Sequence, residues 1–204
     1  MRSEEDLVWY VSYGSNMNAS RLACYLEGGR PPGAKRGYTG ARDATPPRAA
    51  APVVLPGRLH FSGSSRVWGG GIAFYDHEAD GPTPARAFLI SAEQFVDVAE
   101  QEMHRPVRAA DPLEEIVREG VPGGRFEAGP GRYETLLNVG EREGLPMLTF
   151  TSPDGITEMV SSDPTEPYLD MLAEGLAQGH GWERERCDAY FAARGAHLEA
   201  TAAA

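Results

Sequence analysis

Glu100 and Glu102 close a stretch with helical apolar spacing, marked by Phe95, Val98 and Ala99. Two residues apart, their side chains leave a helix in different directions, so that one could point inward while the other faces solvent. A carboxylate at a helix C-terminus faces the negative end of the peptide dipoles. That raises its proton affinity and suits proton shuttling near neutral pH. The same pair also reads as two solvated charges. The second chemical stretch is Tyr13-Gly14-Ser15-Asn16-Met17. An apolar run reaches Tyr13 and is broken by Gly-Ser-Asn before an amphipathic segment, with Asn18 or Ser20 as its N-cap. Such a turn presents several backbone N–H groups at one point, near the positive end of a helix dipole. It is a receptor for a carboxylate or phosphate, or else a plain strand-turn-helix corner.

Other reactive residue types carry weaker signals. His60, His77, His104, His180 and His197 show no metal-ligand spacing and read as surface or structural histidines, so no metal site is expected. Ser64 and Ser65 lack the Gly-x-Ser-x-Gly elbow of a hydrolase nucleophile. Cys24 and Cys187 are the only cysteines, far apart and outside any Cys-x-x-Cys pair, and read as small buried hydrophobes. A Cys24 nucleophile, as in an amidohydrolase or acyltransferase, would need a histidine beside it, which no local sequence supplies.

The elements that must position these residues follow in order. Trp9–Tyr13 reads as a strand, and the helix after it carries Arg21, Leu22, Tyr25 and Leu26. Residues 28–57 read as a loop-rich span with one short apolar run, Val53–Leu55. Leu59–Phe61, Ile72–Tyr75 and Ala85–Ile90 read as strands. Gly69-Gly70-Gly71 suggests a close approach by another backbone or a ligand. Ser91 with Gln94 forms a capping box for the helix that ends in Glu100-Gln101-Glu102. A short helix is expected over Pro112–Arg118, followed by a Gly/Pro-dense loop over 120–131. Tyr133–Val139 and Met147–Thr151 read as a hairpin turning at Glu141–Gly144. Helices over about Tyr168–Ala177 and Trp182–Ala196, then a tail from Thr201, complete the chain. Strands and helices mix without βαβ rhythm, which predicts an α+β fold.

Length points to a single domain over about 1–200. The 41% apolar content suffices for a core. The formal charge of −11 removes the electrostatic reason to bind nucleic acid or an anionic membrane. No apolar run reaches membrane-spanning length, and Met1–Asp6 is acidic without a signal-peptide core, so a cytoplasmic protein is expected.

The Tyr13-Gly14-Ser15-Asn16-Met17 stretch resembles the substrate loop of the γ-glutamylcyclotransferase-like superfamily. Further features follow in that family's order. Gly69-Gly70-Gly71-Ile72-Ala73 resembles its glycine-rich strand entry. Glu102, twelve residues after Ile90, resembles its catalytic glutamate. Pro164-Thr165-Glu166-Pro167-Tyr168-Leu169 with Glu174-Gly175 resembles its C-terminal motif and helix. The chain departs from the pattern at Ala85-Arg86, at Met103-His104 after the glutamate, at Phe150, and in a long insertion at about 105–132.

The resemblance implies a small closed β-barrel flanked by α-helices, with the Tyr13–Met17 loop and Glu102 facing one cavity. It implies a cofactor-free cyclisation of a small-molecule γ-glutamyl amide to 5-oxoproline with release of an amine. Glu102 would be the general acid/base. Tyr13, Gly14, Ser15, Asn16 and Met17 would hold the substrate, with Tyr133 or Tyr168 closing the pocket. The insertion favours a larger substrate than the smallest dipeptides, such as a γ-glutamylated biosynthetic intermediate. A non-catalytic binding module on the same fold is the competing expectation. The sequence leaves the oligomeric state open.

Overall fold

The structure, a computed structural model, describes residues 7–31, 34 and 37–196. The acidic stretch Met1–Asp6, Pro32 and Gly33 of the early loop, and the tail from Thr201 lie outside the described residues. The fold is α+β, as expected. Its frame is a six-stranded mixed sheet in the order β2-β5-β1-β8-β7-β6. These strands are β1 (Leu7–Ser12), β2 (Ala49–Pro56), β5 (Pro82–Ser91), β6 (Arg125–Glu127), β7 (Thr135–Arg142) and β8 (Leu145–Thr151). A separate two-stranded ribbon pairs β3 (Arg58–Ser62) with β4 (Ile72–Asp76).

The expectation of a closed barrel is corrected: the sheet has two open edges. Edge strand β2 carries Pro52 and Pro56, which have no N–H to offer a further strand. The other edge, β6, is three residues long. The ribbon adjoins β8 through a side chain and not a ladder: Tyr75 N donates to the Thr151 hydroxyl at 3.1 Å, and that hydroxyl donates to Tyr75 O at 2.8 Å.

β1 is buried along its whole length because both faces of the sheet are covered. Its even residues, Val8 and Tyr10, join one apolar cluster with Leu22, Tyr25, Phe95, Val98 and Val117. These come from α1 (Ala19–Glu27), α2 (Ala92–Glu102) and α3 (Pro112–Arg118). Its odd residues, Trp9 and Val11, join the other cluster, with the β3–β4 ribbon, α4 (Glu166–His180) and α5 (Arg184–Ala192). The period of two thus sorts the chain into three layers. α2 starts on the expected capping box: Gln94 N donates to Ser91 Oγ, and Ser91 N donates to Gln94 Oε1. The β7–β8 hairpin turns at Glu143 and Gly144, both at positive φ, a type I′ turn. No helix among the described residues is long and apolar enough to cross a membrane.

Two strands appear where a loop was expected. β2 reaches back to Ala49, and β6 interrupts the Gly/Pro-dense stretch. Gly70 and Gly71 meet another backbone: a Cβ on Gly70 would lie 2.7 Å from Asp163 O. Gly71 N donates to Asp163 O at 2.8 Å, and a Cβ on Gly71 would lie 2.0 Å from Ser162 O.

Candidate active site

At the C-terminal end of β1 the chain enters Tyr13–Met17, with Ser15–Met17 forming one 3-10 turn. The following helix is sealed by Asn18, whose Oδ1 accepts from Ser20 N at 2.9 Å and Arg21 N at 3.3 Å. The α1 N-terminus is therefore already capped, and the groups turned to the cavity are those of the tight turn itself. α4 presses this turn into place. Gly175 faces it so closely that a Cβ there would lie 2.6 Å from Met17 Cβ. Arg86 Nη1 donates to Met17 O at 2.9 Å and to Gln178 Oε1 of α4 at 2.6 Å. The departure at position 86 therefore serves to hold the turn.

One cavity is lined by Tyr13, Gly14, Ser15, Asn16, Glu102, Tyr133 and Tyr168 together. Seven of the eight residues singled out from the sequence thus share one space. Met17 does not line it: its side chain is 1% exposed in the core behind the turn, against α4. As the last residue of the 3-10 turn, Met17 sits on the core side of the corner, so its contribution is packing.

Glu102 ends α2 and is half-buried. Its Oε1 accepts from Asn16 Nδ2 at 2.9 Å and from the Tyr25 hydroxyl at 2.5 Å. Asn16 Nδ2 also donates to the Tyr10 hydroxyl at 3.1 Å, while Asn16 Oδ1 is buried with no hydrogen-bond partner. Burial, and next the Glu102 charge, hold the Tyr10 phenol well above its ordinary range. Burial does the same to Tyr25, against the pull of Arg21. Both phenols therefore keep their protons near neutral pH. Tyr25 is the donor that orients the carboxylate.

The other two expected tyrosines grip one peptide. Tyr168 Oη accepts from Ala73 N at 3.0 Å, and Tyr133 Oη donates to Ala73 O at 2.8 Å. Both ends of Ala73, just past the glycine clamp, are thereby fixed in the cavity wall. Tyr133 has φ 58° and His104 has φ 59°, and both line the cavity. Bulky residues adopt that left-handed conformation only where the surroundings impose it, and such strain gathers at functional sites.

The structure adds residues to the site that were not singled out from the sequence: Tyr10, Arg21, Tyr25, Tyr38 and Trp68. The available signal was an arginine on the otherwise apolar stripe Leu22, Tyr25 and Leu26 of α1. Glu100 is not in the cavity. It also points inward and is 1% exposed, away from the cavity, which corrects the reading of the pair as two solvated charges. Cys24 gives its thiol to Ser20 O at 3.4 Å, and Cys187 is fully buried. Among the described residues no three His, Cys, Asp or Glu side chains converge to hold a metal ion.

No protein-family model matches the sequence. A relative, histone deacetylase 5 of Arabidopsis thaliana, is 32% identical over 197 residues, covering 90% of this chain. The chain spans 30% of that relative's length. Among solved structures, the uncharacterized protein loc79017 from Homo sapiens shares the fold, with a TM-score of 0.53 at 16% identity over 98% of this chain and 93% of that one. A gamma-glutamyl cyclotransferase aligns over the same shares at 15% identity with a TM-score of 0.48.

Proposed function

We propose that the chain is a γ-glutamylcyclotransferase-like enzyme, cyclising a γ-glutamyl amide to 5-oxoproline and releasing the amine. The observation that carries this reading is the hydrogen bond from Asn16 Nδ2 to Glu102 Oε1 at 2.9 Å, which ties the N-terminal turn to the one carboxylate in the cavity wall. The ordered motifs of the sequence and the shared fold support it.

In the reaction the α-amine nitrogen bonds to the substrate's own γ-carbonyl carbon, and the bond from that carbon to the leaving nitrogen breaks. No water is consumed. Two protons leave the α-nitrogen and two reach the leaving nitrogen, relayed one at a time through Glu102: the first frees the α-amine for attack, the second comes off the tetrahedral intermediate, so the lactam closes neutral and the amine leaves as an ammonium. Ring closure is intramolecular, and the protein's task is to hold a near-attack conformer. Tyr25 and Asn16 aim the carboxylate. The backbone N–H groups of Ser15 and Asn16, in a first turn without helical acceptors, face the developing oxyanion. Tyr133 and Tyr168, through Ala73, fix the opposite wall.

The test is incubation of the full chain with a panel of γ-glutamyl amino acids, amines and larger amides, with detection of 5-oxoproline. Glu102→Gln should retain the native circular dichroism spectrum and lower kcat about 100-fold or more. A panel that yields no 5-oxoproline, or a Glu102→Gln variant with full turnover, overturns the reading.

A further inference from the structure

Arg21 is 3% exposed yet lines the cavity. Its Nη2 donates to the Tyr38 hydroxyl at 2.6 Å and to the Tyr25 hydroxyl at 3.0 Å, and its Nε lies 3.4 Å from Ser15 Oγ. Its Nη1 is buried and has no hydrogen-bond partner. The rings of Tyr38, Tyr25 and Trp68 surround the guanidinium at 4.5, 4.8 and 5.6 Å. No carboxylate among the described residues forms an ion pair with it. A guanidinium does not shed its proton, so this is a permanent buried cation with an open donor. Such a group is costly to bury without an anionic partner.

The nearest connected anion is Glu102, one phenol away. Arg21 Nη2 donates to Tyr25 Oη, which donates to Glu102 Oε1. The Tyr25 hydroxyl holds the two charges apart and so keeps them from neutralising each other directly. The cavity thus presents a fixed positive and a fixed negative group, each with unused capacity, on either side of one hydroxyl. A ligand that satisfies both carries an ammonium and a carboxylate a short distance apart. An α-amino acid head group has both on one carbon.

We propose that Arg21 is the receptor for the substrate's α-carboxylate, with Nη1 supplying the open hydrogen bond. The α-ammonium then faces Glu102, and the site selects substrates with a free zwitterionic α-amino acid head. The inference rests on the cyclotransferase reading for the identity of the bond cleaved. The recognition it describes is measured separately. Charge-assisted bonds from guanidinium to carboxylate are among the strongest in proteins. A polar site built for such a group rejects analogues that lack it far more strongly than an apolar pocket rejects a missing methylene.

The experiment compares L-glutamine, the simplest γ-glutamyl amide, with 4-aminobutyramide, the same molecule without the α-carboxylate. Binding of each to the full chain is measured by calorimetry. In parallel, kcat/KM is measured for matched γ-glutamyl and 4-aminobutyryl amides, which close to 5-oxoproline and 2-pyrrolidinone respectively. The wild type should favour the α-carboxylate member of each pair about 100-fold or more. Arg21→Met should lose that preference, its kcat/KM falling far more on the γ-glutamyl amide than on the 4-aminobutyryl amide. Arg21→Lys should recover part of it. Equal losses on both substrates would make Arg21 a structural support of Tyr25 and Tyr38 and overturn the proposal. If Arg21→Met does not fold, equal binding of the two probes by the wild type still overturns it, and a preference for glutamine supports it. If no amide is turned over, the cyclotransferase reading fails alone. The calorimetric preference then decides the role of Arg21.

Discussion

Neither carboxylate oxygen of Glu100 has a hydrogen-bond partner, whereas Glu102, two residues on, accepts two at one oxygen. Glu100 lies 3.7 Å from Arg105 Nη1, with Asp111, Arg108 and Glu134 also acting on it. Burial, and next the Asp111 charge, push its carboxyl above the ordinary value of 4.5 against the pull of Arg105 and Arg108. The folded chain thus binds this proton more tightly than the unfolded chain. The associated stability is present at acid pH and is lost as pH rises through the raised folded value. Glu100→Gln should therefore raise the melting temperature, and the gain should be larger at about pH 7.5 than at about pH 4.5. A gain that is flat or inverted across that range would contradict the assignment. At Glu100 the raised proton affinity comes first from burial. Glu102 was legible through the family resemblance of its distance to the preceding strand, and Gly14-Ser15-Asn16 from its break in an apolar run. Arg21 and Tyr25 were not, because an i, i+4 pair on a short amphipathic helix reads as ordinary surface and core.

α2 buries a polar edge, Gln94, Asp97 and Gln101. Each binds the long loop before β2. Gln94 Nε2 donates to Asp43 O and Thr45 O, Gln101 Oε1 accepts from Gly40 N, and Asp97 takes Arg42 through its N, Nε and Nη2. Arg42 Nη2 also reaches Glu114 on α3 at 2.5 Å. This edge docks the loop that delivers Tyr38 to the cavity. Arg42→Ala leaves Asp97, 1% exposed, buried without its cation. The loss should be about 3 kcal/mol, the low end for a broken buried pair, because the Arg42 side chain is itself 22% exposed. Urea denaturation measures it. A cost below about 1 kcal/mol would place the pair among surface ion pairs. None of this was legible in the sequence, where Gln, Asp and Gln among apolar residues mark a solvated face. The partners lie some 50 to 60 residues away in a span without periodicity. β2 was hidden for a related reason: two prolines in eight residues argue against a strand except at a sheet edge. By contrast, the α2 capping box and the Pro112–Arg118 helix were readable because their signals are local.

At the scale of the molecule, alternation along β1 sorts its residues to the two faces, and the strands themselves were visible in the sequence as apolar runs. Closure was not, since it depends on whether edge strands find partners, which no single strand encodes. Strand order has a further effect. β1 lies between β5, antiparallel, and β8, parallel, with Trp9 opposite Met147 and Tyr10 opposite Leu148. Tyr13, in the cavity wall, donates its hydroxyl to Phe150 O at 2.8 Å. On the ribosome these contacts are out of reach until β8 has been translated, some 140 residues after β1. Nascent chains stalled with Gly144 as the last emerged residue should stay open to protease around Trp9–Tyr13. Those stalled beyond Thr151 should become resistant. Synthesis of this protein therefore carries a long interval in which its most apolar early segment has half its neighbours missing. That is the interval in which a chaperone has something to hold.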